Sequence, residues 1–588
     1  MTAAAKRGNR GPMRLEHAVE ALGKTALHEA LGLDAPAVVR RSQDEKHGDY
    51  QLNGVLPLAK KLGKNPRELA ALVAEKLQNP SIFAKIEVAG PGFINLKLTD
   101  RWLAEQLALL ANDANDGIEQ VAPETIVVDF SGPNIAKQMH VGHLRSTILG
   151  DALVKILRAQ GHKVLGDNHL GDWGTQFGLL IVGMRTFGDA EAMKKDPIVE
   201  LERVYKLASE AKKDETFANE ARAELAKLQA GDPENKKLWE QFVAVTRESL
   251  DVVYADLGVT FDYWLGESAY NDALPGVVAT VKAAGIARED NGALCVFFKE
   301  LEDAPKDLAA NEQPFIVQKS DGAFNYATTD IATVFHRSTV FQADRSIYVV
   351  DNRQSLHFKQ LFEVAKRLGD RQKLTHVGFG SVLGPDGKPL KTRDASGKVI
   401  TLKNLLDEAT ETAKKRLAEE ELDLPADELD AVAKAVGIGA VKYADLRQNR
   451  LSDYTFDWDK MIAFRGNAGP YLQYAFARTQ SIFRKAEVAP AEALKAPFVL
   501  AEPSERALAL ALLAYPDAVA GAAEHLEPHR ICGHLYGLAR AVASFYEECP
   551  VLKSEGATRA SRLALVATAG KQLEAGLKLL GITPIARM

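Results

Sequence analysis

Two histidines, His140 and His143, lie three residues apart around Gly142 in the stretch FSGPNIAKQMHVGHLRS, residues 130–146. The stretch joins a short apolar run to an amphipathic one, which is the pattern of a strand-to-helix junction. The first turn of a helix offers free backbone N–H groups and a positive dipole end, and a histidine there can donate a hydrogen bond to a phosphate oxygen. Gly142 would let a purine or a phosphate approach the backbone. The spacing therefore predicts a triphosphate site, with two ordinary surface or capping histidines as the alternative.

The elements that must position these histidines follow from the hydrophobic pattern. TIVVDF, residues 125–130, is rich in β-branched residues and is typical of a strand buried on both faces of a parallel sheet. Apolar residues then recur at helical spacing until Gly161, and HKVLGD follows as a second strand. SIYVVD, residues 346–351, and a helix over 355–368 resume the alternation. This order predicts an α/β fold, with a doubly wound parallel-sheet nucleotide-binding domain of the Rossmann kind.

Length predicts several domains, because 588 residues exceed what one hydrophobic core holds. An early helix over 65–77, capped by Asn65, and two strands around a Gly-Pro-Gly turn over 86–98 indicate a small α/β domain. Residues 185–260 are charged and helical, and nearly everything after Leu402 is helical, with 558–581 as the clearest amphipathic segment. The expected divisions are a disordered leader at 1–13, an N-terminal α/β domain at 14–118, the catalytic domain at 119–400 with a helical insertion at about 185–340, a helical connector at 401–450, and an all-α C-terminal domain at 451–588.

Composition limits the partners and the compartment. The net charge of −6 gives no overall basic field, so local patches would have to hold a nucleic acid. The three cysteines are far apart and form no CxxC pair, which argues against a disulfide framework and a structural zinc site. The longest strongly apolar stretch, ALALALLAY at 507–515, is too short to span a bilayer. We therefore expect a cytoplasmic protein with no membrane contact and no bound metal.

Longer strings resemble one family. HxGH after a first strand is similar to the nucleotide-binding signature of class I aminoacyl-tRNA synthetases, and SGPNIAKQMHVGHLRSTILGD resembles that of arginyl-tRNA synthetases in particular. Further similar strings occur in the expected order over nearly the whole chain: HGDYQLNGVLPLAKKLGKNPREL, NHLGDWGTQFG, SDGAFNYATTDIA, YVVDNRQSLHFKQ and NAGPYLQYAFAR. The resemblance implies arginine–tRNA ligase activity. The arginine carboxylate attacks the α-phosphate of ATP and expels pyrophosphate, and a ribose hydroxyl at the tRNA 3′ end then takes the arginyl group.

The resemblance also implies which residues handle ATP, which enters with Mg²⁺. They are His140, His143, Lys137, Gly142, His357 and Gln360. Class I enzymes usually carry a second basic loop, Lys-Met-Ser-Lys, which is missing here. In its place is GPDGKPLKTRDASGK, residues 384–398, whose candidate cations are Lys391, Lys388 and Arg393. A flexible basic loop over the triphosphate would do the same electrostatic work, and a plain solvated hairpin is the alternative.

Arginine specificity calls for carboxylates, because planar, bidentate acceptors hold a buried guanidinium best. The resemblance implies five arginine-binding residues: Asp129, Asn134, Tyr326, Asp330 and Gln354. It assigns the first domain to the tRNA elbow and the C-terminal domain to the anticodon, with Tyr546 and Met588 as anticodon contacts. For Tyr546 a place in the core beside Phe545 is the alternative. The resemblance further implies that tRNA must be present even for the first step, and we expect a monomer.

Two other functions stay open at this point. The first is a class I synthetase for another amino acid, but the cysteine enzyme would need zinc-binding cysteines, and the glutamate enzyme would need cations in place of Asp129 and Asp330. The second is a non-catalytic RNA-binding relative. Such a binder would have no reason to keep His140, His143 and the two aspartates together.

Overall fold

The computed structural model describes residues 14–42, 44–384, 386–390, 401–419 and 427–588. The leader expected at 1–13 lies outside these residues. The chain forms two compact units. The first consists of Met1–Gln120, Glu421–Val432 and Ala463–Met588, and the second of Val121–Glu420 and Ala433–Ile462.

The N-terminal part of the first unit is a four-stranded antiparallel sheet covered by helices. Its strands, in the spatial order β1-β2-β4-β3, are β1 (Val39–Arg41), β2 (Tyr50–Leu52), β3 (Phe83–Ala89) and β4 (Phe93–Leu98). Its helices are α1 (Leu15–Leu31), α2 (Val55–Leu62), α3 (Pro66–Lys76) and α4 (Asp100–Ala111). The Asn65 side chain accepts a hydrogen bond from the Arg67 N–H at 2.9 Å, so the predicted cap of α3 is confirmed. The predicted hairpin is also confirmed, since β3 and β4 pair in antiparallel register.

The second unit contains the predicted parallel sheet. The strands of this unit are β5 (Thr125–Asp129), β6 (Lys163–Asp167), β7 (Arg288–Asp290), β8 (Ala293–Val296), β9 (Phe315–Gln318), β10 (Arg345–Tyr348), β11 (Lys373–His376), β12 (Val382–Leu383) and β13 (Tyr454–Thr455). Its helices are α5 (Leu144–Ala159), α6 (Thr175–Phe187), α7 (Ala190–Lys195), α8 (Pro197–Ala211), α9 (Glu215–Gln229), α10 (Pro233–Leu257), α11 (Leu274–Ala283), α12 (Lys306–Ala309), α13 (Tyr326–Thr339), α14 (Ser355–Arg367), α15 (Leu402–Glu419), α16 (Leu429–Leu446) and α17 (Trp458–Met461).

The four strands β11-β10-β5-β6 lie side by side in that order, and all neighbours are parallel. Ile126, Val127 and Val128 of β5 are fully buried, which confirms a strand covered on both faces. In the register of the sheet, Asp129 lies between Tyr348 of β10 and Asp167 of β6. The carboxyl ends of these strands therefore meet at one edge, where ligands of doubly wound sheets bind.

The long connection from β6 to β10 contains more than the predicted helices. Helices α6–α10 form the charged helical segment, and a three-stranded antiparallel sheet, β7-β8-β9, follows it. The sequence did not predict this small sheet. Near the end of the unit, β12 pairs in parallel with β13, and α15 and α16 form the helical stretch expected after Leu402.

The rest of the first unit is all-α. Its helices are α18 (Gly469–Ala486), α19 (Pro490–Ala493), α20 (Pro503–Leu513), α21 (Tyr515–His525), α22 (His529–Glu548) and α23 (Gly556–Leu579). The amphipathic character predicted for 558–581 is wrong, because every residue from Ser561 to Gly570 is buried. By length and composition Pro503–His525 passes as a membrane span, but this segment consists of the two helices α20 and α21, and 61% of its most apolar window is buried inside the protein.

Candidate active site

The two signature histidines hold each other in place through the backbone. A 3-10 turn, Val141–His143, leads directly into α5, and the Gly142 N–H donates to Nδ1 of His140 at 3.0 Å. The His140 N–H donates to Nδ1 of His143 at 3.2 Å, and the two rings lie 4.1 Å apart. Since both Nδ1 atoms accept hydrogen bonds, each neutral ring carries its proton on Nε2. The turn therefore presents two Nε2–H donors at the start of a helix.

Both histidines are neutral at physiological pH. Burial, and then the nearby His140, lowers the pKa of His143 to about 3. Burial, and then Lys137, lowers the pKa of His140. Gly142 is needed beside them, because a Cβ at this position would lie 2.7 Å from Cε1 of His140. The arrangement can donate hydrogen bonds to an anion without carrying a positive charge of its own in the free protein.

A buried polar network fixes the loop between β5 and the histidines. Ser131 has a φ of 74° and Ala136 a φ of 60°, both in the region that L-residues rarely adopt. The Ser131 hydroxyl lies 2.7 Å from the hydroxyl of Tyr254, and the Ala136 N–H donates to Oγ1 of Thr246 at 3.0 Å. Both of these partners belong to α10. The helical segment therefore stabilises a strained backbone between β5 and the two histidines.

Lys137 lies against the same helical segment. Its Nζ is 4.9 Å from the ring centroid of Tyr205 on α8, within cation–π range. One residue later, Nε2 of Gln138 donates to Glu202, also on α8, at 3.1 Å. Helix α8 therefore holds the cation that precedes the two histidines.

Asp129, the predicted arginine-binding carboxylate, shares an internal arginine with Asp167. Nη2 of Arg337 lies 2.7 Å from Oδ2 of Asp129 and 2.8 Å from Oδ2 of Asp167. Arg337 is fully buried, and within the described parts of the chain its Nε and Nη1 have no hydrogen-bond partner. Burial raises the pKa of Asp167, and Arg337 opposes that rise. Sequence reasoning missed Arg337, which stands in α13 with no motif around it.

The string NHLGDWG, residues 168–174, forms the second wall of the loop that carries Asn134. The Gly132 N–H donates to Oδ1 of Asn168 at 3.1 Å, and Asn134 forms a parallel bridge with Gly171. A Cβ on Gly171 would lie 2.2 Å from Oδ1 of Asn134, so only glycine fits there. Asn134 itself is exposed and available to a ligand.

Tyr326, Asp330 and His357 form a second group. Tyr326 and Asp330 stand one turn apart in the first half of α13, and 64% of the surface of Tyr326 is exposed. Nε2 of His357 lies 2.6 Å from Oδ2 of Asp330, and its ring packs edge-on against Tyr326 at 5.1 Å. The structure thus groups His357, expected near the adenosine, with two of the arginine-binding candidates.

Glu267 is a further carboxylate that sequence reasoning missed. Its pKa is raised to about 7, mainly by burial; the charge of His169 opposes this rise, and the charges of Asp330 and Asp172 contribute to it. These interactions put Glu267 within electrostatic range of Asp330. In the sequence, Glu267 is a single acidic residue between Gly266 and Ser268, and no motif marks it as functional.

The other ATP and arginine candidates differ in their surroundings. Gln354 is exposed at the start of α14, whereas Gln360 is buried and its Nε2 donates to the Gln313 carbonyl at 3.3 Å. Lys388 is exposed on a hairpin in which the Gly384 N–H donates to its carbonyl at 2.8 Å. Lys391 and Arg393 lie outside the described residues.

The described chain resumes at Thr401, next to the signature histidines. Thr401 forms an antiparallel bridge with His140, and the Leu402 N–H donates to the Met139 carbonyl at 2.8 Å.

The two anticodon candidates lie in the first unit. The guanidinium of Arg478 stacks on the half-buried ring of Tyr546, 4.2 Å from its centroid. The neighbouring Phe545 is fully buried, so Phe545, and not Tyr546, is the core residue of this pair. Met588 is 9% exposed, and the chain end is held by α18, because Nη1 of Arg484 donates to the Ala586 carbonyl at 3.0 Å.

Three family models together match most of the chain. They are described as tRNA synthetases class I (R), catalytic domain, over residues 106–458; Arginyl tRNA synthetase N terminal domain, over 15–98; and DALR anticodon binding domain, over 472–588.

Relatives match along nearly the full length. An arginine–tRNA ligase of Chromobacterium violaceum is 47% identical over 577 residues, which cover 96% of this chain and 98% of that protein. The crystal structure of arginyl-tRNA synthetase from Plasmodium falciparum superposes with a TM-score of 0.84 at 28% identity, over 99% of this chain and 100% of that one. The arginyl-tRNA synthetase of Thermus thermophilus superposes with a TM-score of 0.82 at 26% identity, over 98% and 100%. The chain, with its HxGH turn at the edge of a parallel sheet, therefore belongs to the arginyl-tRNA synthetase family of class I aminoacyl-tRNA synthetases.

Proposed function

We propose that this chain is an arginine–tRNA ligase that forms arginyl-adenylate from L-arginine and ATP and transfers the arginyl group to the 3′-terminal ribose of tRNA(Arg). AMP and pyrophosphate are the other products. The observation that carries the proposal is the histidine turn: two Nε2–H donors at the start of α5, next to the carboxyl ends of β5 and β6. Nucleotides bind at this place in doubly wound sheets.

The first step needs positioning and charge neutralisation more than covalent help. His140 and His143 donate to phosphate oxygens, and Lys137 supplies the positive charge that the neutral rings lack. Gly142 leaves room for the adenine. ATP brings Mg²⁺ with it as part of the substrate complex.

Arginine is selected by carboxylates on two sides. Asp330 and Glu267 supply one acidic group, and Asp129 supplies the other at the end of β5. Planar guanidinium groups pair well with such acceptors, whereas a lysine ammonium has only a point charge to offer. Asn134, Tyr326 and Gln354 complete the arginine site in this proposal.

The basic loop replaces the missing Lys-Met-Ser-Lys string. The bridge between Thr401 and His140 supports this assignment, because it places a residue that follows the loop in sequence beside the histidine turn. In this proposal Lys391 is the principal cation of the loop, and Lys388 and Arg393 assist with ATP. The first domain contacts the tRNA elbow, and Tyr546 and Met588 contact the anticodon. The enzyme acts as a monomer in the cytoplasm.

Exchange of radioactive pyrophosphate into ATP tests the proposal directly. We expect exchange with arginine only when tRNA(Arg) is present, and none with lysine, glutamate or cysteine. Exchange with another amino acid would identify a different synthetase. Absence of exchange with arginine and tRNA together would make the arginine assignment wrong.

His143→Ala separates catalysis from RNA binding. Loss of the Nε2–H donor should abolish adenylate formation while the affinity for tRNA stays within a few-fold. His28→Ala is the matched control, because the side chain of His28 is 61% exposed and pairs with Asp34, which is 94% exposed. Equal loss of adenylation and tRNA binding in His143→Ala would indicate misfolding or another role for this residue.

A further inference from the structure

Arg506 of α20 joins the helical part of the first unit to its N-terminal sheet. Its Nη1 and Nη2 each lie 2.7 Å from one carboxylate oxygen of Asp49, and its Nε lies 2.7 Å from Oδ1 of Asp100. Nη2 also donates to the Leu98 carbonyl at 2.9 Å. We call this set of contacts the Arg506 clamp. All three nitrogens of one planar guanidinium are engaged by the same sheet domain, which fixes direction as well as distance.

The local structure of HGDYQ, residues 47–51, fixes the position of Asp49 in the Arg506 clamp. Gly48 has a φ of 76°, and a Cβ there would lie 2.6 Å from the Leu96 carbonyl oxygen. The Asp49 N–H donates to that carbonyl at 2.8 Å, and its Oδ2 accepts from the Leu98 N–H at 2.7 Å. The side chain of Asp49 is only 6% exposed, and that of Arg506 is 17% exposed. The sheet thus places a buried carboxylate where a cation of the helical part neutralises it.

The surroundings of the clamp are polar and open. One cavity of about 520 Å³ is lined by Asp49 and Arg506, and a second of about 530 Å³ lies between α1 and α21 and is lined by Tyr50 and Asp517. Arg41 lines both cavities. The two cavities interrupt the packing between the sheet and the helices here, so the directional ion pairs add an orientation that the remaining contacts between α20 and α4 do not supply alone.

Two further ion pairs join the same parts at their edges. Nε of Arg14 lies 3.0 Å from Oδ1 of Asp517, and Nζ of Lys571 lies 2.9 Å from Oδ1 of Asp116. Backbone hydrogen bonds accompany them, from the Glu16 N–H to Asp517 at 3.0 Å and from Nζ of Lys571 to the Asp113 carbonyl at 2.6 Å. Neither ion pair is a bidentate guanidinium–carboxylate contact, and both cations are more exposed than Arg506. The clamp is therefore the strongest geometric constraint among the described ion pairs of this interface.

We propose that Arg506 is a positioning residue for tRNA: through Asp49 and Asp100 it holds the N-terminal sheet and the helical domain at the separation that one tRNA molecule spans. The proposal rests on the proposed function, in which the elbow and the anticodon are bound by these two parts. When two contacts belong to one ligand, the second forms at a high effective concentration only if the spacing is fixed. Loosening the clamp lowers that concentration without removing either contact.

Aminoacylation kinetics give the first test. In Arg506→Ala and Asp49→Asn we expect the KM for tRNA(Arg) to rise roughly tenfold, the loss of effective concentration that a loosened link brings. The kcat and, at saturating tRNA, the KM values for ATP and arginine should stay within about twofold of wild type. Arg506→Lys, which keeps the charge without the planar fork, should be intermediate. Arg101→Ala is the matched control, because Arg101 is 89% exposed on α4 beside the clamp.

Binding of two RNAs distinguishes positioning from a merely structural role. A hairpin with only the anticodon arm contacts one domain, so its affinity for Arg506→Ala should equal that for wild type. Full-length tRNA(Arg) should lose about tenfold in affinity for the same variant. Asp100→Asn, at a position 56% exposed, tests the same link with little risk to folding, and it should show a smaller loss in the same direction.

The outcomes separate the two hypotheses. If wild type charges tRNA(Arg) but every clamp variant that folds keeps its tRNA KM within twofold, the positioning role is wrong and the ligase assignment stands. Equal losses for hairpin and full-length tRNA would also overturn the proposal, since they would indicate damage to the anticodon site itself. If wild type fails to charge tRNA(Arg), the proposed function is wrong.

Discussion

A carboxylate whose pKa lies near 7 changes its charge within the pH range of an ordinary enzyme assay. The half-buried Glu267 is such a group, because its pKa is raised to about 7, mainly by burial. Above that pH it is ionised and attracts a guanidinium, and below it the protonated carboxyl has lost that attraction. We therefore expect the KM for arginine to rise by up to about tenfold as the pH falls from about 8 to about 6.

Glu267→Gln tests this residue, because glutamine has the same shape and no charge. The variant should have a high KM for arginine that no longer changes over that pH range, while the KM for ATP stays near wild type. Glu289→Gln, at a position 75% exposed in the same unit, should behave as wild type. A pH profile that keeps its slope in Glu267→Gln would assign the titration to another group.

Residues could be predicted from sequence only where their partners are close along the chain. His140 and His143 contact each other across three positions, so spacing and the strand-to-helix junction were enough to single them out. The partners of Arg337 lie 208 and 170 positions away, and no local pattern records such a contact. The acidic environment of Glu267 likewise arises from residues that the fold brings together.

Helix α8 shows how an element outside the parallel sheet takes part in the site. Tyr205 lies under the ammonium of Lys137, and cation–π contacts of this kind are worth about 1 kcal/mol. In Tyr205→Leu we expect arginine-dependent pyrophosphate exchange to fall by roughly five- to tenfold, because the cation loses its preferred position. Tyr205→Phe keeps the ring and should retain most of the exchange rate.

Two outcomes would contradict this role of α8. If Tyr205→Phe falls as far as Tyr205→Leu, the hydroxyl matters and the ring face does not. If neither changes the exchange rate in a protein whose Lys137→Ala variant is inactive, α8 does not position the lysine. Thermal unfolding of each variant would show whether the helical segment is still folded.

Elements with a strong local pattern could be predicted, and those defined by tertiary contact could not. The buried run of β5 and the cap of α3 are local features, and both are confirmed. Strand β7, with the sequence RED, is short and charged and becomes a strand only because β8 pairs with it. The polar positions of α23 suggested a solvent-facing side, but Nε of Arg562 lies 2.7 Å from the buried Glu505 and is almost fully buried itself. A polar residue that forms a buried ion pair was therefore read from the sequence as a residue facing solvent.

At the scale of the whole molecule, a protein with a net charge of −6 must still bind tRNA, which is a polyanion. In the proposed function, binding depends on a few cations near aromatic surfaces, and Arg478 above Tyr546 is a candidate pair. In Arg478→Ala we expect weaker tRNA binding and a plot of log affinity against log salt whose slope is smaller by roughly one. The salt titration of tRNA affinity measures both effects.

Tyr546→Phe provides the matched control for that titration, because it keeps the stacking surface and every charge. It should leave the salt slope unchanged. An unchanged slope in Arg478→Ala as well would mean that this arginine contacts no phosphate and serves only to support the ring.

At the edge of the parallel sheet, two carboxylates contact one arginine, Arg337. Two aspartates, at the ends of β5 and β6, face a single resident guanidinium. Two carboxylates thus share one resident guanidinium. A second guanidinium would give each carboxylate its own partner, whereas the ureido group of citrulline, nearly the same in shape, carries no charge. In the proposed function, the guanidinium of the arginine substrate is the second positive charge that this edge of the sheet can accept.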